Sequence, residues 1–210
     1  WTVFHNGATV GYMLADLGAE VIHIERPVTG DPYRGIETMH GSSMRVPGVH
    51  GETVNISFET VNRNKKGIIL DLSKPKGHEV LCQLVEKSDV FVTNFRKSVT
   101  TRLNLDYKTL SKRNPKIIYV ISSGLGSKGP ESDNRCFDTV ALARSGIMFQ
   151  VGQRDESEPL VPVGGIADQL GGMMTAYAVL AGLVCRERQG IGQVVESSLL
   201  GSMIHLQAVS

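Results

Sequence analysis

Gly67-Ile68-Ile69-Leu70-Asp71 and Asp89-Val90-Phe91-Val92-Thr93 are two short apolar runs, and a helical pattern lies between them. Ser73 with Pro75 opens that helix, and Val80, Leu81, Leu84 and Val85 fall on one face of it. Strand, helix and strand at this spacing make a βαβ unit, whose two strands pair in parallel. Outward from it the same alternation continues. Gly7 to Leu17 reads as a short helix and Ala19 to Glu25 as a strand. Leu103 to Asn114 reads as mostly helical, and Pro115 precedes a strand over Ile117 to Ile121. The expected fold class is therefore α/β, an open, mostly parallel Rossmann-like sheet. Ligands of such sheets bind at the carboxyl ends of the strands. Here that rim is Glu25-Arg26, Asn94-Phe95-Arg96 and Ser122 to Gly126.

Between these elements, Pro27 to about Glu59 is dominated by Gly, Pro, Ser and polar residues without a sustained period. A connection of that length is functional or partly disordered. Residues 1–190 are expected to form one large α/β domain, and residues 191–210 to begin a linker or helix toward a second domain. Trp1 opens directly on structured-looking sequence, and Ser210 falls inside an apolar helical stretch from Leu199 to Ala208. Both ends read as cuts through a longer protein.

Charge is nearly balanced, 22 Lys+Arg against 21 Asp+Glu, which gives no support to a nucleic-acid or membrane-surface role. Cys82, Cys136 and Cys185 are odd in number and lack CxxC spacing. They point to a reducing compartment, hence a cytoplasmic location, and away from a disulfide scaffold or structural zinc. The uncharged stretch Gln169 to Cys185 is short for a membrane span, and its small residues suit a packed core helix.

Asp168 stands in Pro162-Val163-Gly164-Gly165-Ile166-Ala167-Asp168, immediately before that uncharged stretch. A carboxylate there is costly to desolvate unless paired or put to use. If the helix runs from Leu170 to Cys185, Asp168 lies at or just before its first turn, where the dipole favours an ionised carboxylate. Two readings stand: an N-cap, or a buried, ionised nucleophile.

Known motifs remove several chemistries. Glu25 at a strand end suits a ribose, yet G-x-G-x-x-G is missing; the nearest segment is Asn6-Gly7-Ala8-Thr9-Val10-Gly11. There is no P-loop, HExxH or Gly-x-Ser-x-Gly, and the six histidines show no ligand spacing, so no metal is expected. Arg26, Lys65, Lys66, Asn94, Arg102 and Arg135 remain near strand ends. Singly each reads as surface charge; together on one rim they suit a phosphate-bearing adenine nucleotide with a tail.

The segments Leu14 to Ile22 through Glu25-Arg26-Pro27, Asn62-Arg63-Asn64-Lys65-Lys66, Leu70-Asp71-Leu72, and Asp89-Val90 through Asn94-Phe95-Arg96 follow one another in order. After them come Ser123-Gly124-Leu125-Gly126 through Gly129-Pro130, Ala167-Asp168, and Arg186 to Gly190 through Gly192-Gln193. In that order they resemble the family III CoA-transferases, the group that holds formyl-CoA:oxalate and carnitine CoA-transferases and α-methylacyl-CoA racemases. The resemblance covers essentially the whole chain. It implies an interlocked-dimer fold, truncated here at both ends, in which the large domain binds coenzyme A. It also implies that Asp168 is the covalent nucleophile and that CoA is held by Phe4, His5, Arg26, Lys65, Asn94, Phe95, Arg102, Leu103 and Arg135. His5 stands where some members carry glutamine. Arg135 stands where some carry lysine, which keeps the charge but not its geometry.

The implied activity is transfer of CoA from an acyl-CoA donor to a carboxylic acid acceptor, through an aspartyl anhydride and an aspartyl-CoA thioester. CoA is then a co-substrate, with no permanently bound cofactor. Oxyanion donors are expected at the N–H groups of Ala167 to Leu170 or in a glycine loop further on. Two alternatives accompany this. A racemase needs a proton carrier on each face, and its His-Asp pair aligns with Phe137-Asp138, where phenylalanine carries no proton. Phe137 and Asp138 then orient substrate, or Asp138 caps the following helix. The other alternative is a non-catalytic CoA-binding subunit of a two-subunit transferase. The expected partners are the two substrates and either a second copy or a homologous subunit, with no nucleic acid and no membrane.

Overall fold

The computed structural model of the chain describes residues 1–39, 41–152, 158–162 and 164–208; His40 in the expected long connection and Val163 before Asp168 lie outside these. The chain opens with helix α1 (Phe4–Asp16), strand β1 (Val21–Glu25), a 3-10 turn (Pro32–Gly35), and the short strands β2 (Thr38–Met39), β3 (Ser42–Ser43), β4 (Arg45–Pro47) and β5 (Thr53–Asn55). It continues through α2 (Ile56–Asn62), β6 (Lys65–Ile69), α3 (Pro75–Glu86), β7 (Val90–Thr93), α4 (Lys97–Arg102), α5 (Tyr107–Arg113) and β8 (Ile118–Ser123). The last elements are α6 (Asp138–Ser145), α7 (Ile147–Gln150), α8 (Ile166–Gln189), β9 (Gln193–Ser198) and α9 (Leu199–Leu206).

The parallel α/β class holds. β1 pairs with β6 in parallel, and β7, β8 and β9 form a three-stranded parallel sheet in that order. Strand alternation sends Phe91 and Tyr119 to one face, where they meet Leu81 and Val85 of α3 and Leu110 of α5. Ile118 and Val120 face the other way, onto Val10 and Leu14 of α1 and Ala176 and Val179 of α8. Both faces are covered, which is why these strands read as continuous apolar runs.

Three expectations are corrected. The sheet does not end near Gly190: Gln193–Ser198 is a strand of it, paired with β8 from Ile118↔Gln193 to Ser123↔Ser198. Leu103–Asn114 is not one helix. Asn104 adopts φ 54°, Leu105 is fully buried, and Asp106 starts α5 by accepting the Thr109 N–H at 3.1 Å. An Asx cap inside an apparently helical run breaks it.

The 27–59 connection is also more ordered than its composition suggested. Asn55 organises it: its Nδ2 donates to the carbonyls of Tyr33, Arg34 and Ile36, and its Oδ1 accepts the Phe58 N–H and caps α2. Tyr33, Phe58 and Val61 close a small core on Ala8 of α1. Side-chain-to-backbone bonds leave no hydrophobic period to read.

Helix α8 packs along α1 because its glycines let the backbones approach. A Cβ on Gly172 would lie 2.5 Å from Thr9 Cβ and 2.9 Å from the Asn6 carbonyl oxygen. Gly172→Ala is expected to lower stability by about 1–2 kcal/mol, the overpacking cost outweighing alanine's better helix propensity. Chemical denaturation measures this. Unchanged or higher stability would show that the two helices separate freely.

Candidate functional site

The site forms where the carboxyl ends of β7 and β8 meet the start of α8. Helix α8 begins at Ile166, four residues before the expected Leu170, so Asp168 sits inside its first turn and is not the N-cap. Gly165 takes the cap position at φ 84°, a left-handed conformation that favours glycine. The cap itself comes from another helix. Asp138, in the first turn of α6, accepts the N–H of Gly165 at 3.0 Å, of Ala167 at 2.7 Å and of Asp168 at 3.0 Å. Asp138 thus caps α8 and not the helix it belongs to.

With the cap supplied elsewhere, the Asp168 side chain is released. Its carboxylate makes no hydrogen bond among the described residues, and Asn6 Nδ2 donates to its backbone carbonyl at 3.3 Å. Burial first, and the nearby Asp138 charge second, push the Asp168 carboxyl up to about 7. Three of the expected oxyanion donors are engaged. The N–H groups of Ala167 and Asp168 are spent on Asp138, and that of Gln169 donates to the Gly165 carbonyl.

Asp168 opens into a cavity of about 430 Å³ whose walls include Phe4, Asn94, Phe95, Arg102, Arg135 and Phe137. Seven expected site residues therefore share one space. Asn94 anchors it: its Nδ2 donates to the Val3 carbonyl at 2.7 Å and its Oδ1 accepts the Val3 N–H at 3.0 Å. Phe95 stacks on Trp1 with centroids 4.0 Å apart, and Phe137 meets Phe4 edge to face at 5.8 Å. Arg135 is exposed, as is Arg102 at the end of α4. A second cavity of about 410 Å³, floored by Tyr107, Tyr119 and Ile121, shares the wall of Asn94, Phe95 and Gly124.

The other expected residues lie outside this cavity's walls. Arg26 is exposed at the end of β1, with its Nε on the Gly30 carbonyl at 3.3 Å. Leu103 packs into the core under α4. Lys65 faces inward. Burial lowers its ammonium to about 7, and its three N–H groups reach Ala8 O, Val61 O and Asn62 Oδ1 at 2.7–2.8 Å. His5 is held from both sides, with one ring nitrogen 3.1 Å from Tyr33 Oη and the other 2.9 Å from Gln169 Oε1. Gln169 Nε2 donates to Tyr12 Oη, so its oxygen faces His5 and places the His5 proton on Nε2. Glu25 holds no ribose: it is buried, grips Arg34 through two bonds of 2.8 Å and accepts the Asp31 N–H.

Asn6 was not expected. Its Oδ1 accepts from Ser122 Oγ of β8, which also meets Thr175 of α8, so one buried network ties β8 and α1 to the Asp168 backbone. Nothing in the sequence separates this asparagine from a surface one. Among the described residues no group of three His, Cys, Asp or Glu could hold a metal ion, and no helix is long and apolar enough to cross a membrane.

Comparison with known proteins agrees with this architecture. The sequence pattern of CoA-transferase family III matches residues 1–210. The chain is 35% identical over 205 residues to an acetyl-CoA:oxalate CoA-transferase from Acetobacter aceti, covering 96% of this chain and 49% of that one. It is 36% identical over 191 residues to a succinyl-CoA:glutarate CoA-transferase from Mus musculus, covering 91% and 41%. A CAIB/BAIF family protein from Brucella suis superposes with a TM-score of 0.88 at 31% identity, over 99% of this chain and 53% of that one. The chain spans about half the length of the curated relatives it matches. A match along all 210 residues, on the expected parallel α/β fold, is decisive: the chain belongs to CoA-transferase family III.

Proposed function

We propose that this chain carries the CoA-binding face and the nucleophilic carboxylate of an enzyme that moves CoA from an acyl-CoA to a carboxylic acid. The observation that carries the proposal is the Asp168 carboxylate, free of hydrogen bonds among the described residues and with a raised pKa, in the cavity that also gathers Asn94, Phe95, Arg102 and Arg135. A carboxylate stripped of water and hydrogen bonds is a better nucleophile than a hydrated one.

Asp168 attacks the thioester carbonyl, the C–S bond breaks, and an anhydride and CoA thiolate result. The thiolate attacks the aspartyl carbonyl, releasing the donor acid and leaving an aspartyl-CoA thioester. The acceptor carboxylate attacks this thioester, expelling thiolate and forming a second anhydride. Attack of thiolate on the acceptor's acyl carbon yields the new acyl-CoA and restores Asp168. Each cleavage is matched by one bond formed, and no proton carrier is required. A racemase would need two, and Phe137 at the cavity wall supplies none.

In this reading CoA lies across the strand ends with its phosphates toward Arg102, Arg135 and Arg26, and the protein works as an interlocked dimer or beside a homologous subunit. Lys65 acts indirectly, by holding α1 and α2 to β6. A screen of acyl-CoA donors against carboxylic acids, read by mass spectrometry, tests the activity; α-proton exchange without transfer would favour a racemase. Arg102→Ala is expected to weaken CoA binding about tenfold at low salt and less at high salt, as screening removes the lost attraction. Calorimetric titration at two ionic strengths checks this, and equal affinities in both proteins would make Arg102 plain surface charge.

A further inference from the structure

We infer that Asp31 is a positioning residue that holds Phe4 at the wall of the Asp168 cavity and so sets how acyl-CoA is seated. The inference rests on the CoA-transferase reading above. Phe4 adopts φ 59° at the first position of α1, a left-handed conformation for a bulky residue. Such a conformation is costly for a bulky residue and persists only where its surroundings enforce it. Asp31 Oδ1 provides the enforcement by accepting the Phe4 N–H at 3.1 Å. The same oxygen accepts the Tyr33 N–H at 2.8 Å.

Asp31 is itself fixed to the end of β1. Its N–H donates to Glu25 Oε2 at 2.8 Å, and Arg34 clamps Glu25. The chain of contacts therefore runs from a strand end, through Asp31, to the Phe4 backbone. From there the Phe4 ring meets Phe137 on the wall of the cavity that contains Asp168.

Stability alone does not account for an aspartate at position 31. Its side chain is fully buried, and among the described residues Oδ2 has no hydrogen-bond partner; neither has His23 Nε2, 3.6 Å away. A buried carboxylate with an idle oxygen is costly, and burial pushes the Asp31 carboxyl up. What the carboxylate provides is one acceptor shared by two backbone N–H groups 29 residues apart, Phe4 and Tyr33.

The test compares Asp31→Ala, Asp31→Asn, Phe4→Ala and the Asp31→Ala/Phe4→Ala double variant. Readouts are direct CoA titration, KM and kcat for acyl-CoA, and the amide proton shift of ¹⁵N-Phe-labelled protein. Asp31→Ala is expected to raise the acyl-CoA KM about tenfold and to remove the downfield shift of the Phe4 amide. Asp31→Asn keeps the acceptor oxygen and offers Nδ2 to His23, so it should restore both. The double variant should be no worse than the more impaired single variant, because Asp31 acts through Phe4. If Asp31→Ala does not fold, Asp31→Glu replaces it with the same expectation, since its carboxylate sits one methylene too far out. Unchanged KM in a folded variant, additive losses, or failure of Asn to rescue would each overturn the inference. Absence of CoA binding and transfer in the unaltered protein would instead overturn the proposed function, and the Phe4 amide shift would still report on Asp31.

Discussion

Asp168→Asn is expected to abolish acyl transfer while raising the melting temperature at neutral pH. The two effects share one cause. In the folded protein the Asp168 carboxyl titrates near 7 against an ordinary value of 3.8, so the folded state holds its proton more tightly than the unfolded chain does. Folding stability from this group is fully present below about pH 4, and is lost as pH rises from there through about 7. The full shift corresponds to an upper bound of about 4 kcal/mol. Asp168 is only partly buried, and solvent screening reduces this to roughly 1–2 kcal/mol, or a few degrees in Tm for a chain of this size.

Asparagine has no such charge and loses no cap, because Asp138 supplies it. The variant's advantage should be largest above pH 7 and vanish below about 4. On the proposed mechanism, kcat/KM of the unaltered protein should rise through about pH 7, since only the ionised carboxylate would attack. Hydroxylamine added with acyl-CoA should trap Asp168 as its hydroxamate. Full activity in Asp168→Asn would end the nucleophile assignment, and a lower Tm would return the residue to a capping role.

Removing the cap is expected to damage rate and pH profile separately. Asp138→Ala leaves the N–H groups of Gly165, Ala167 and Asp168 without their acceptor. The expected loss is roughly 1–3 kcal/mol of stability and 10- to 100-fold in kcat, because the first turn that aims the nucleophile is no longer fixed. The Asp138 charge also raises the Asp168 carboxyl, so its removal should move the midpoint of the pH–rate profile below 7.

Asp138→Asn separates the two roles. It lacks the charge but keeps one oxygen, and Oδ1 alone accepts from both Ala167 and Asp168. It should therefore show the same shifted midpoint with most of the rate retained. A midpoint unchanged in both variants would show that burial alone perturbs Asp168.

The parallel α/β class, the strand ends beside the site, and the singular placement of Asp168 were all legible in the residue order. Each rests on local pattern: apolar runs of strand length, helical spacing between them, and a carboxylate before a long uncharged stretch. Asn94, Phe95, Arg102 and Arg135 were singled out near strand ends, the family resemblance added Phe4, and the fold gathers all five into one cavity with Asp168.

Tertiary structure alone decided what Asp168 is free to do. A capping carboxylate and a free one look identical in sequence, and the difference is whether another group takes the helix N–H bonds. That group is Asp138, on a separate helix. Likewise Lys65 and Arg102 read alike as basic residues, yet one ammonium is spent on the carbonyls between α1 and α2 and the other charge is exposed. Asn6 carries no periodic or motif signal and Asp31 reads only as the cap of its own turn, because Asp168 and Phe4, the partners that matter, lie far along the chain. Hydrophobic burial repeats with the geometry of each element and is written locally. Hydrogen-bond partnership depends on which distant groups meet, and only the folded chain brings them within 3 Å.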